Sequence, residues 1–338
     1  MKRDNIRGVA GVVLALLIIG VLDLTKPGIS GAPDFECATS NKGTVNISVL
    51  QGESGAAIAA KLYENGVIQS AQAFFRLAVA DARAASIAPG AHQIDLEICA
   101  KDALAQLLDS KRITNLIAIN EGIWVSEVQE RLLEIGFTQS EVDASFSKIP
   151  RPKGFKSLEG LLFPAQYSFA PGTSLDVILS TIVKRGVDEL EKSGISSGSD
   201  GFSPAELLTI ASLIEAEGDP IDYAKVSQVV RNRLKIGMPL QFDSTVHYIM
   251  KERGSIFLST KSTLLKSPYN TYRKYGLPPT PINNPGRLAM QAAVNPEQGD
   301  WLYFITVAPG DTRFTADFSQ FNEWKVLYRK NLRSGKFE

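Results

Sequence analysis

The stretch SPAELLTIASLIEAEG (Ser203–Gly218) decides the fold of the domain around it, because it predicts a buried helix with two clear ends. Its opening Ser-Pro-Ala-Glu combines a capping box with a proline in the first turn, where the missing N–H group costs nothing. The closing glycine, followed by Asp-Pro, is typical of a helix end. Between these signals the apolar residues recur at helical spacing, which predicts a broad face packed against a core.

Two acidic residues, Glu215 and Glu217, fall in the last turn of this predicted helix. On a helical wheel both lie within the apolar face, so both are expected to point toward the buried side. Burial and the negative end of the helix dipole each disfavour a carboxylate and raise its pKa. A carboxyl group with a raised pKa can act as a general acid near neutral pH. The same pattern also fits a frayed last turn that leaves both acids in water.

Several long motifs accompany the helix in a fixed order. They are LEGLLFP (Leu158–Pro164), NRLKIGMPLQFDSTVHY (Asn232–Tyr248), SPYNTY (Ser267–Tyr272), GLPPTPINNPG (Gly276–Gly286) and WLYF (Trp301–Phe304). In these motifs the chain resembles the YceG-like (MltG) family of membrane-anchored endolytic murein transglycosylases. The helix of that family reads like SIVEKE with a catalytic first glutamate, and the resemblance places this residue at Glu215. The similarity extends loosely back to Val45.

The resemblance implies the chemistry and the partners of the protein. Glu215 is the expected catalytic residue of a lytic transglycosylase, which cleaves the β-1,4 bond between N-acetylmuramic acid and N-acetylglucosamine, leaves a 1,6-anhydro end and terminates nascent glycan strands. Substrate binding is expected from Glu217, Gln241, Asp243, Asn270 and Tyr272. The expected partners are peptidoglycan glycan strands and peptidoglycan synthases (penicillin-binding proteins). No metal or cofactor is expected, since the two histidines and two cysteines show no familiar metal-site spacing.

Three positions depart from the family pattern. Ala165 stands where the family has an aspartate, Ser244 where it has a proline, and Arg313 where a histidine is common. Glu159, close to the first of these departures, can either line the cleft or bond the backbone at a turn. Because of these departures, functions other than transglycosylation are also considered.

Two alternative functions compete with the transglycosylase. A hydrolytic muramidase needs a second carboxylate about 5–5.5 Å or about 6.5–9.5 Å from the first, and Asp243 or Glu217 can serve. A catalytically inactive glycan-binding or divisome/elongasome scaffold is disfavoured by the intact Glu215. Nucleic-acid binding is excluded as a class, because 36 Lys and Arg residues are balanced by 36 Asp and Glu residues and such proteins carry a basic excess.

The first residues predict a membrane anchor. Gly8–Leu22 is an apolar run that follows basic residues. A cleaved signal peptide has the same basic start and core length, but no small-x-small site follows the run, which favours an uncleaved anchor. The positive-inside rule then places the N-terminus in the cytoplasm and the remaining chain on the periplasmic side of the cell inner membrane.

The expected fold class is α+β, with a single N-terminal transmembrane helix, a LysM-like α+β subdomain and a C-terminal α+β catalytic domain. The expected boundaries are 1–25 for the cytoplasmic tip and anchor, 26–42 for a linker, 43–153 for the subdomain and 154–338 for the catalytic domain. The subdomain pattern of a strand, two helices and a strand resembles a glycan-binding LysM module and fits a simple spacer equally well. Cys37 and Cys99 are both expected outside the cytoplasm, where disulfides persist, so we predict that they pair.

Overall fold

The computed structural model describes residues 31–37, 42–50, 52–114, 116–169, 172–253 and 258–337. The predicted anchor at Gly8–Leu22 lies outside the described residues. Within the described ranges, no helix has the length and apolar character needed to cross a bilayer. Contacts between residues divide the chain into two compact units, Met1–Thr114 and Asn115–Glu338.

The first unit is a three-stranded antiparallel sheet that shares one core with three helices. Its elements are β1 (Thr44–Val49), α1 (Gly55–Glu64), α2 (Ala71–Ala80), a 3₁₀ turn (Ala82–Ser86), β2 (Gly90–Asp95), α3 (Ala100–Leu108), a second 3₁₀ turn (Ser110–Arg112) and β3 (Ile113–Thr114). The central strand is β2, and its His92 lies opposite Ile47 of β1. The predicted order of strand, two helices and strand is confirmed. Membership of the LysM modules stays a prediction.

A disulfide joins Cys37 to Cys99 at the start of α3, with the two Cα atoms 5.0 Å apart. This bond confirms the predicted pair. Asp34 lies on the same segment as Cys37, and its carboxylate accepts a hydrogen bond from the Ala100 amide at 3.0 Å. The first amides of a helix have no partner within the helix, so Asp34 supplies one for α3. The described part of the linker is therefore held to the first unit by a covalent bond and a cap.

The second unit begins with a two-stranded antiparallel sheet and the helices around it. Its first elements are β4 (Leu116–Ile119), α4 (Val125–Glu134), α5 (Gln139–Lys148), β5 (Ala165–Ser168) and α6 (Leu175–Lys192). Ile119 of β4 lies opposite Ala165 of β5, and the two strands share a core with α4, α5 and α6. Residues 116–150 therefore pack within the second unit, whereas the predicted 43–153 subdomain groups them with the first.

The core of the remaining part of the second unit forms around the helix α7 (Pro204–Glu217). The elements that follow the 3₁₀ turn Ile195–Ser197 and α7 are α8 (Tyr223–Lys235), α9 (Asp243–Met250), α10 (Thr260–Thr263), α11 (Arg287–Val294), β6 (Tyr303–Ala308), β7 (Asp311–Thr315) and α12 (Phe318–Arg333). The predicted capping box is confirmed, because Ser203 and Glu206 bond each other's backbone amides. Residues 207–214 of α7 are all buried, so the helix is enclosed on every side and not along one face alone.

The loop GLPPTPINNPG (Gly276–Gly286) is fixed to α7 by a serine in the middle of that helix. The Ser212 hydroxyl accepts a hydrogen bond from the Ile282 amide at 3.0 Å, and the Ser212 carbonyl accepts one from the Asn283 side chain at 2.8 Å. A short polar side chain inside an apolar helix thus pairs with the incoming loop. These contacts hold Gly286 near the C-terminal end of α7.

Candidate active site

Glu215 lies in the last turn of α7, where its carboxyl group receives two hydrogen bonds. The backbone amide of Gly286 donates to Oε2 at 2.9 Å, and the hydroxyl of Tyr223 donates to Oε1 at 3.0 Å. Burial raises the pKa of Glu215 above its ordinary value, and the charge of Glu121 raises it further, whereas the two donors lower it. The net direction is upward, as the sequence analysis expected for an acid in this position.

The two donors to Glu215 belong to residues at the N-termini of neighbouring helices, but only the Gly286 group is a backbone amide, whereas that of Tyr223 is a side-chain hydroxyl. Tyr223 is the first residue of α8, and Gly286 is the residue that caps α11. The partial positive charge at a helix N-terminus favours an anion. The site is therefore built to hold a protonated acid and to stabilise the carboxylate that forms when the proton leaves.

A polar cleft of about 290 Å³ opens beside Glu215. The residues that line it come from the loop after β4, the end of α7, the helix α9 with the segment after it, and the GLPPTPINNPG loop; they are Glu121, Gly122, Trp124, Glu215, Ala216, Ser244, His247, Glu252, Arg253, Ile282 and Asn283. On this wall the Arg253 guanidinium lies 4.0 Å from the centre of the Trp124 ring and pairs with Glu127. The cleft therefore brings one aromatic ring and several charged groups to the acid.

Glu121 is a second carboxylate of the cleft, and it is not among the site residues predicted from the sequence. It follows β4 in a Glu-Gly turn, more than ninety residues before Glu215 in the chain. A Cβ atom on Gly286 would lie 1.9 Å from Glu121 Oε1, and one on Gly122 would lie 3.8 Å from Glu215 Cγ. In the sequence, an acid that follows a strand and precedes a glycine is only weak evidence of a site residue. The tertiary fold alone brings Glu121 close to the end of α7.

Glu217 does not line the cleft, although it lies two residues from Glu215. Its Oε1 accepts a hydrogen bond from the Ser244 amide at 3.3 Å. Burial of the carboxyl group raises its pKa to about 7, against the hydrogen bonds from Ser244, while Asp243 raises the pKa and Arg233 lowers it. Ser244 is one of the departures from the family pattern, and a proline there has no N–H to donate.

Asp243, Tyr272 and Gln241 likewise do not line the cleft. The charge of Asp243 acts on Glu217, and the charge of Glu217 acts on Tyr272. The Tyr272 hydroxyl donates a hydrogen bond to Asp243 Oδ1. Gln241 is exposed, has a left-handed backbone with φ of 51°, and its amide donates to the Thr271 carbonyl at 3.1 Å. Asp243 and Tyr272 thus form a hydrogen-bonded pair next to Glu217, whereas the side chain of Gln241 is exposed to solvent.

Asn270, a further predicted substrate-binding residue, is fully buried. Its side-chain amide donates to the carbonyls of Thr263 and Leu265 at 3.0 and 2.8 Å, and its side-chain oxygen accepts from the Tyr272 amide at 3.0 Å. Every polar atom of the side chain is therefore used to fix the SPYNTY loop. The structure places Asn270 where a sugar has no access to it.

Glu159 bonds backbone and does not line the cleft. Only 3% of the residue is exposed. Its carboxylate accepts hydrogen bonds from the Val125 amide, at the start of α4, and from the Tyr248 hydroxyl, at 3.0 and 3.1 Å. Burial raises the pKa of Glu159 to about 7 despite these two donors. Of the two roles considered for Glu159, lining the cleft or bonding the backbone at a turn, the structure shows the bond to the backbone.

The half-buried acid and the open polar cleft define an enzyme of the general acid–base class. The sequence model that describes the YceG-like family matches residues 47–326 of this chain, so the chain belongs to the YceG-like family. It is 33% identical over 311 residues to a protein of Bacillus subtilis (strain 168) named endolytic murein transglycosylase, with 85% of this chain and 86% of that protein covered.

Two further relatives agree with this family. A protein of Streptococcus pneumoniae serotype 2 (strain D39 / NCTC 7466), also named endolytic murein transglycosylase, is 35% identical over 179 residues, which are 52% of this chain and 30% of that one. The crystal structure of a YceG-like protein from Listeria monocytogenes is similar with a TM-score of 0.54 and 26% identity, covering 83% of this chain and 99% of the other. The resemblance seen in the motifs is thereby confirmed.

Proposed function

We propose that this chain is an endolytic murein transglycosylase in which Glu215 serves as both acid and base. The observation that carries the proposal is the Glu215 carboxyl group, which lies in a polar cleft with a raised pKa between two donors. The family and the names of its relatives support peptidoglycan as the substrate.

In the proposed reaction, protonated Glu215 donates its proton to the glycosidic oxygen between N-acetylmuramic acid and N-acetylglucosamine. The bond from that oxygen to muramic C1 breaks, and positive charge develops at C1. The 6-hydroxyl of the same sugar attacks C1, and the Glu215 carboxylate accepts the proton of this hydroxyl. The product is a 1,6-anhydro end, and Glu215 is protonated again for the next cycle.

The two donors to Glu215 fit both halves of this cycle. The Gly286 amide and the Tyr223 hydroxyl stabilise the carboxylate during the interval in which it carries charge. Burial restores the protonated form afterwards. One carboxyl group suffices as acid and base because the nucleophile belongs to the substrate and is already in place.

The geometry disfavours two residues as the second carboxylate that a hydrolytic muramidase needs. Asp243 and Glu217 were the residues considered for the second carboxylate, and neither lines the cleft of Glu215. Their expected role, with Tyr272 and Gln241, is to bind or support more distant sugars of the strand. Glu121 is a carboxylate in the same cleft as Glu215, so hydrolysis remains an alternative that the product assay tests.

The product and its dependence on Glu215 test the proposal. Purified glycan strands are digested, and the masses of the products are measured for the wild type, for Glu215→Gln and for the control Glu134→Gln, an exposed acid on α4. General acid–base transfer contributes about 10²- to 10⁴-fold, so we expect Glu215→Gln to lose at least that much while Glu134→Gln stays at the wild-type rate. Reducing ends in place of anhydro ends would establish a hydrolase, and an inactive wild type would favour a scaffold.

The cellular setting is part of the same proposal. The basic residues before Gly8 and the apolar run to Leu22 support an uncleaved anchor, with the catalytic unit in the periplasm, close to peptidoglycan synthases at the ends of nascent strands. A reporter that is active only in oxidising compartments, fused after Glu338, should be active in the membrane fraction. A soluble mature form that starts between Thr25 and Asp34 would contradict the anchor.

A further inference from the structure

The carboxylate of Glu121 faces the cleft with no counter-charge of its own. The residue is exposed, and among the described residues its carboxylate has neither a hydrogen-bond donor nor an ion-pair partner. It lies against Gly286, the residue whose amide donates to Glu215. Two carboxyl groups therefore adjoin one glycine, and one of them is the acid of the proposed reaction.

The backbone, and not its own side-chain contacts, holds Glu121 at this place. The amide of the next residue, Gly122, donates to the Asn284 carbonyl at 2.9 Å, and the Asn284 amide donates to the Ile123 carbonyl at 2.9 Å. The guanidinium of Arg253 donates to the Gly122 carbonyl at 2.8 Å. Gly122 itself has a φ of 73°, which favours glycine. The turn is thus tied to the GLPPTPINNPG loop on one side and to the end of α9 on the other.

We propose that Glu121 is a positioning residue, whose fixed negative charge keeps the proton on Glu215 until the glycosidic oxygen takes it. The inference rests on the proposed function, in which Glu215 is the acid. A nearby negative charge disfavours a second one, so the protonated form of Glu215 is favoured. The same charge complements the positive charge that develops at muramic C1.

Among the charged and titratable groups around Glu215, Glu121 is the carboxylate that lies against Gly286, whose amide donates to Glu215. Tyr223 of α8 donates to Glu215 and lowers its pKa, whereas Glu121 raises it. On the wall formed by α9 and the segment after it, Arg253 is paired with Glu127, and His247 and Glu252 line the same cleft. Glu121 is the group whose charge acts on Glu215 in the required direction.

Gly286 provides a way to move Glu121 without changing any charge. Its backbone, with φ of −75° and ψ of 172°, is one that alanine adopts readily. The alanine Cβ would lie 1.9 Å from Glu121 Oε1 and 2.3 Å from its carboxyl carbon, so the flexible side chain must swing away. The amide that donates to Glu215 remains. Gly286→Ala therefore separates the two carboxyl groups, and Glu121→Gln removes the charge.

The experiment measures kcat/KM against pH for the full-length protein on purified glycan strands. Because Glu215 is active when protonated, activity falls above its pKa, and loss of the Glu121 charge moves this basic limb to lower pH. For an exposed charge in a wet cleft we expect a shift of about half a pH unit, or about threefold in rate on the basic side. We expect this downward shift of the basic limb in both Glu121→Gln and Gly286→Ala. In the double variant the limb should shift no further than in either single variant, and in the control Glu134→Gln it should stay at the wild-type pH.

Other outcomes overturn the inference in distinct ways. An unshifted profile in Glu121→Gln, or a Gly286→Ala shift that persists unchanged on top of Glu121→Gln, excludes an effect through charge. Loss of all anhydro product in Glu121→Gln, with no shift in residual activity, makes Glu121 a direct participant in the reaction. Full activity of Glu215→Gln refutes the proposed function itself, whatever the Glu121 variants do.

Discussion

Glu159→Gln should change how the stability of the protein depends on pH. Glu159 is 3% exposed, and burial raises its pKa from 4.5 to about 7 in the folded state. Below the unfolded pKa the group is protonated in both states and carries no penalty. As pH rises toward the folded pKa, the unfolded chain loses the proton first, and stability is lost.

The size of this effect follows from the two pKa values. A rise from 4.5 to about 7 corresponds to a total of about 3 kcal/mol at about 1.36 kcal/mol for each pKa unit. Of this, about 2 to 3 kcal/mol is lost between pH 5 and pH 8. Glutamine does not titrate, so the variant lacks this loss, although it also loses part of the hydrogen bonding to Tyr248 and Val125 at every pH.

The assay is urea unfolding of wild type and Glu159→Gln at pH 5 and pH 8. We expect the difference in unfolding free energy between the two proteins to shift by about 2 to 3 kcal/mol in favour of the variant as the pH rises. The shift is independent of the constant cost of the lost hydrogen bonds. A difference that is the same at both pH values would refute the reasoning, since Glu159 would then be ionised in the folded state already at pH 5.

Three further variants test other parts of the structure. Tyr223→Phe removes a donor that lowers the pKa of Glu215, so the basic limb of the pH–rate profile should move to higher pH, opposite to the shift expected from loss of the Glu121 charge; a downward shift contradicts this. Glu217→Gln should lose far less activity in the product assay than Glu215→Gln, because Glu217 does not line the cleft; the reverse order would make Glu217 the acid. Cys37→Ser opens a bond across 62 residues and should destabilise the first unit by up to about 4 kcal/mol in thermal unfolding, an effect that a reductant should reproduce in the wild type.

The position of Glu215, the acid of the proposed reaction, was readable from the sequence because it depends on local rules. Capping signals and apolar spacing within Ser203–Gly218 define the helix that the structure shows. The spacing of Glu215 along that helix and the motifs after it point to the same residue. The helices and strands predicted elsewhere follow from the same short-range patterns. The grouping of residues 116–150 with the second unit depends instead on the pairing of β4 with a strand almost fifty residues later.

The roles of the remaining polar residues depended on burial and on contacts between distant parts of the chain. Asn270 lies in a loop motif that suits a sugar cleft, yet its own loop uses all its hydrogen bonds. Glu215 and Glu217 look alike on a helical wheel, but only Glu215 opens onto the cleft.

Sequence alone determined that one end of one helix carries an acid in apolar surroundings, since helix period and end signals are properties of neighbouring residues. Tertiary structure decided which groups meet that acid. The Gly286 amide, the Tyr223 hydroxyl and the Glu121 carboxylate come from three separate segments. Their distances are set by how a loop docks on α7 and how a turn pairs with that loop, and no local pattern contains this information.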